Sequence, residues 1–125
     1  MKDTVCIVVP PLEKMTKVVH LTTTAVASRV GLNIDQADDI NTGLDELFRL
    51  SLAGIGDDKS FCVRYGIFPD RLEVLAEGID PSFADASSKV NRYRRFILEK
   101  VADRFEQRSN KTGSLDVLLV KFINS

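Results

Sequence analysis

With 125 residues, 44% of them apolar and 28% charged, the chain is long enough to bury a core without disulfides or metal and too apolar to be disordered. Its 17 basic and 18 acidic residues leave a net charge of -1, so no global field favours nucleic acid or an anionic membrane surface. The expectation is one domain over residues 1–125, since no repeat, low-complexity segment or linker interrupts it.

The longest apolar run falls far short of a membrane span, and MKDTVCIVVPP lacks the apolar length and small-residue cleavage site of a signal peptide; the expected compartment is the cytoplasm. Cys6 and Cys62 stand alone in apolar segments with no CxxC and no nearby histidine, which predicts buried thiols in place of a metal or redox role. His20 is the single histidine, and no GxSxG motif accompanies it for a Ser-His-Asp triad.

Thr4 to Val9 is β-branched and apolar, and the Pro10-Pro11 pair ends it as a short strand. A helix follows from about Leu12 to Val30, with Met15, Val18, Val19, Thr22, Ala25 and Val26 facing inward and Gly31 closing it. His20 points away from that stripe. The second helix, Asn33 to Gly54, is the clearest element. Asn33 and Gln36 have the spacing of a capping box, and Ala37, Ile40, Leu44, Leu47 and Ser51 recur at three- and four-residue steps as one apolar stripe. Asp45 and Arg49, four apart, are expected to form a weak surface pair.

After the polar segment IGDDKS, alternation in Phe61, Val63, Tyr65 and Ile67, the turn Phe68-Pro69-Asp70-Arg71, and renewed alternation in Leu72, Val74 and Ala76 predict a hairpin over residues 60–77. Gly78 to Ser88 reads as a loop. A third helix is expected over Lys89 to Gln107, with Val90, Tyr93, Ile97, Val101 and Phe105 on one side, then a turn from Ser109 to Gly113 and a strand from Leu115 to Ile123. This order favours an α+β fold: a two-layer α/β sandwich with three helices on one face of a mixed sheet.

HLTTTAVASRVGLNIDQADDI, then LDEL, then VRYGIFPDRLEVLAEG resemble the anti-sigma serine kinases of bacterial partner-switching systems, which have the histidine-kinase-like (GHKL, or Bergerat) ATPase fold. YRRFILEKVADRF and SLDVLLVKFIN extend the resemblance more loosely. The resemblance implies a glutamate that acts on the attacking hydroxyl and, one turn on, an asparagine that holds magnesium. Glu46 matches the first, but Leu50 stands at the second and offers no oxygen to a hard cation. The family's Asp-x-Gly, which binds adenine, is here Ala76-Glu77-Gly78, so only Gly78 matches; Glu77 is offset to the other face of a strand. In place of the glycine-rich phosphate turn stands SKVNRYRRF, with no glycine between Gly78 and Gly113.

The resemblance therefore implies a non-catalytic regulator, a pseudo-kinase that needs no cofactor and binds a sigma factor or a STAS-domain anti-anti-sigma protein, often as a homodimer. It places partner contacts on the first helix, where His20 stands for the family's frequent arginine. Arg92 and Arg95, in a basic cluster with Arg94 and Lys100, are candidates to grip an acidic partner face or replace the phosphate loop; the alternative is a solvated helix face. Three readings stay open: this regulator, an active but divergent serine/threonine kinase using Glu46 with ATP and magnesium, and a small-ligand sensor with an apolar pocket near Leu50 and Ala76. Glu46 as a plain helix-surface carboxylate is also open.

Overall fold

A computed structural model describes residues 3–53, 60–111 and 113–123. Strand β1 (Asp3–Val9) leads through a short 3-10 turn (Glu13–Met15) into helix α1 (Thr16–Val30) and then α2 (Ile34–Ala53). The hairpin of β2 (Phe61–Ile67) and β3 (Arg71–Ile79) follows, then a 3-10 turn (Pro81–Ala84), α3 (Lys89–Val101), and the strands β4 (Arg104–Ser109) and β5 (Leu115–Phe122). Gly54 and most of IGDDKS, expected as helix end and polar turn, lie outside the described residues.

The architecture is the expected α+β arrangement of three helices and one sheet, with one correction. The five strands run β1-β2-β3-β5-β4 and every pairing is antiparallel, so the sheet is not mixed. The cause is β4. The third helix stops at Val101 because Ala102 turns extended, and Asp103 donates its backbone N–H to Val120 O at 2.9 Å. Phe105, expected on the helix, instead pairs with Leu119 in a ladder where Phe105 and Gln107 turn inward and Arg104, Glu106 and Arg108 outward. Phe105 fits either period, whereas the charges around it fit only the strand's period of two.

α2 forms as expected. Asn33 accepts from Gln36 N–H at 2.8 Å while Gln36 Oε1 accepts from Asn33 N–H at 3.0 Å, closing the capping box, and Ala37, Ile40, Leu44, Leu47 and Ser51 are all buried. The other two helices are rotated from the predicted faces. On α1, Val19 and Val26 are buried, but Val18 and Ala25 are exposed and Thr22 is only half-buried, while Thr23 and Ala27 complete the inner stripe. Thr23 is the reason: its hydroxyl meets the Tyr65 hydroxyl at 2.7 Å, so a polar residue takes the inward position. On α3, Val90 and Tyr93 are exposed, and Asn91 turns in to donate to Ser82 O at 2.7 Å and Asp85 O at 3.2 Å. The expected loop after residue 77 begins as strand: β3 continues to Ile79 across a bulge at Gly78, whose φ of 76° suits a residue without Cβ.

Tyr65 is fully buried, and burial pushes its phenol up to about 12, with the Thr23 hydrogen bond working the other way. The unfolded chain ionises this phenol near pH 10 and the folded chain does not until about 12, so the stability it confers is intact below pH 10 and is lost as pH rises between the two. That loss amounts to roughly 2–3 kcal/mol. Tyr65→Phe is expected to cost about 1 kcal/mol at pH 7 and to flatten the decline between pH 10 and 12, measured by urea unfolding across that range. Equal pH slopes in the two proteins would contradict the burial account.

Candidate functional site

The last turns of α2 carry Glu46 and Leu50 on neighbouring positions of one face. The Glu46 side chain is only 12% exposed and sits between two guanidinium groups. Arg49 Nη1 donates to Oε1 at 3.2 Å, and Arg94, arriving from α3, places Nε 3.6 Å from Oε2 as an ion pair too long for a hydrogen bond. Glu46 is thus a clamped anion and not the plain surface carboxylate left open by the sequence. Each of its oxygens already faces a fixed cation, whereas a general base needs one turned toward the hydroxyl that it deprotonates.

Leu50 is 4% exposed and belongs to the core with Leu47 and Phe48. It forms one wall of a cleft of about 200 Å³ with Ser51, Ser60 at the start of β2, and Gly78 and Asp80 at the end of β3. Leu50 and Gly78, distant in sequence, do meet at one site. Ala76, expected to line a pocket beside Leu50, is fully buried beneath the sheet's inner face, and Glu77 turns to the opposite face, where it pairs with Arg64. Asp80 brings the cleft's carboxylate, and its Oδ1 accepts from Ser82 N–H at 2.9 Å. A magnesium-bridged triphosphate does not fit this set of residues: Leu50 and Ala76 supply no side-chain oxygen, Glu46 is paired with Arg49 and Arg94, and 200 Å³ is below the usual range for a ligand of drug size. A larger groove of about 500 Å³, lined by Thr24, Ser28, Leu32 and Ile34 between α1 and α2, contains none of these residues.

The remaining predicted residues lie apart. His20 Nε2 donates to Asp45 Oδ1 at 2.6 Å, latching α1 to α2. Asp45 therefore pairs with His20 and Arg49 with Glu46, in place of the expected Asp45–Arg49 pair. Arg92 is exposed on α3. Arg95 turns inward, donating to Phe83 O at 2.8 Å and Gln107 Oε1 at 2.6 Å with its guanidinium 4.6 Å from the Phe83 ring centre, so it ties α3 to the following strand and is not presented with Arg92. Among the described residues no group of three or more His, Cys, Asp or Glu is placed to hold a metal ion, and no helix is long and apolar enough to cross a membrane.

No family model matches the chain. Its sequence is 31% identical over 78 residues to the serine-protein kinase RsbW of Bacillus velezensis, a match taking in 60% of this chain and 49% of that protein. The relation is distant. The chain spans about half the length of the curated relative it matches, and its three helices on a five-stranded antiparallel sheet are compatible with a GHKL-like fold.

The residue that sequence reasoning does not connect to the site is Arg94. It falls within the basic cluster, but its contact with Glu46 joins two helices across the chain, and no local spacing signals it. A double-mutant cycle of Glu46→Gln and Arg94→Met, read by urea unfolding, is expected to give a coupling of about 1 kcal/mol; additive effects would contradict the clamp. Leu50→Asn, which introduces the residue type of the resembling kinases, is expected to cost roughly 2–4 kcal/mol because it buries an amide where an aliphatic branch fills the core.

Proposed function

We propose that the chain is a non-catalytic regulator of the anti-sigma type, acting in the cytoplasm as a homodimer that binds a sigma factor or a STAS-domain anti-anti-sigma protein. The observation that carries this reading is the state of α2: Glu46 is held between Arg49 and Arg94, and Leu50 is packed into the core where a magnesium ligand would stand. A distant relation to a serine-protein kinase supports the inherited scaffold, and the misfit of the cleft to a metal-bound nucleotide argues against inherited turnover. On this reading the protein works by mass action and needs no cofactor.

The contact surface is assigned to the outward side of α1, beside the His20–Asp45 latch. There Leu21 is 69% exposed and Val18 is also exposed, apolar side chains that nothing in the chain's own fold requires to face solvent. Arg92 on α3 is an exposed cation available to an acidic partner.

Candidate sigma factors and STAS proteins from the same genome, titrated calorimetrically, are expected to include one that binds. Leu21→Asp is expected to weaken that binding at least about tenfold, while the melting temperature changes by no more than roughly 2 °C. Radiolabelled phosphate from Mg-ATP is expected not to reach the bound STAS protein. Transfer that Glu46→Gln abolishes would overturn the non-catalytic reading, and the absence of binding to every candidate would overturn the choice of partner.

A further inference from the structure

The sheet face turned away from the helices brings together the chain's two cysteines. Cys6 lies on edge strand β1 and Cys62 on β2, with their Sγ atoms 3.7 Å apart. The register sets Cys6 opposite Arg64 and Val8 opposite Cys62, so the cysteines are diagonal neighbours on one face of an antiparallel pair. Neither is the buried thiol expected from its apolar segment: Cys6 is exposed and Cys62 half-buried. The helices cover only one face of the sheet, so alternate positions of β1 reach solvent whatever their polarity.

We propose that Cys6 and Cys62 form a dithiol modification site, which a small disulfide oxidant converts to an intramolecular disulfide bolting the edge strand to its neighbour. The sulfurs are in van der Waals contact and must close to about 2.05 Å. Among the described residues β1 pairs with β2 alone, which leaves it one flank along which to shift. The chain has no third cysteine to divert the exchange within the molecule.

Exposure makes Cys6 the attacking group. Burial pushes the Cys62 thiol up to about 12, reinforced by its hydrogen bond with Cys6 and by the Glu77 carboxylate and opposed by Arg64, so Cys62 stays protonated until the second step. First the Cys6 thiolate attacks one sulfur of the oxidant, whose S–S bond breaks and releases one small thiol. Then the Cys62 sulfur, giving up its proton, attacks the Cys6 sulfur of the mixed disulfide and expels the second small thiol. The protein dithiol loses two electrons and two protons. The oxidant gains both as two thiols.

The test treats the reduced chain with oxidised glutathione under native conditions, quenches with acid, and reads intact mass and free thiols. The expected product is a monomer lighter by about 2 Da with no thiol left to label, formed at a glutathione ratio at which the chain unfolded in guanidinium forms the bond at least about tenfold less. Cys62→Ser is expected to stop at one glutathione adduct, heavier by about 305 Da. Two adducts on the wild-type chain, a disulfide-linked dimer, thiols that remain free, or equal bond formation in the folded and unfolded chains would each overturn the proposal. The wild-type measurement decides even where the serine variant does not fold.

Discussion

Helix α2 lies where it does because residue 43 has no side chain. A Cβ on Gly43 would come within 2.9 Å of Leu119 Cδ1 on β5 and 3.3 Å of Val101 Cγ2 on α3, so both side chains would have to shift to admit it. With hydrogen alone at that point, the helix settles between sheet and α3, and the positions that follow on the same face inherit the geometry. Leu47 and Leu50 enter the core, and Glu46, at its edge, comes into range of Arg94 on α3.

That arrangement separates two properties that the resemblance alone would keep together. The fold keeps the capping box that starts α2, the hairpin, and Gly78 at the bulge of β3. Gly78 needs no ligand to explain it, because its left-handed backbone at the register shift is reason enough for glycine. The residues at the positions where the resembling kinases handle a nucleotide serve the fold here. Leu50 supplies apolar volume, Ala76 is fully buried in the core, and Arg95 braces the turn before α3 against β4.

Elements with a strong single period are legible in the amino-acid sequence. The stripe of α2 and the alternation of β2 and β3 read directly, because one face of each is buried and the other is not. Periodicity assigns the wrong face where a polar residue takes an inward position through a partner distant in sequence, as Thr23 does with Tyr65 and Asn91 does with Ser82 and Asp85. The β4 strand is hidden because Phe105 continues the helical spacing of Val101, and only the flanking charges signal the change of period. At the site, the aliphatic residue at position 50 is visible as a residue type. The clamp on Glu46 is not, since it depends on how α3 crosses α2.

The proposal that α2 presents no face to a metal-bound nucleotide is tested most directly by nuclear magnetic resonance. Backbone amides of Leu50, Gly78 and Asp80 would be followed as magnesium and AMP-PNP are added to millimolar concentration. The account predicts no saturable shift at those three amides. Saturable shifts there, accompanied by loss of the Arg94–Glu46 contact, would contradict it.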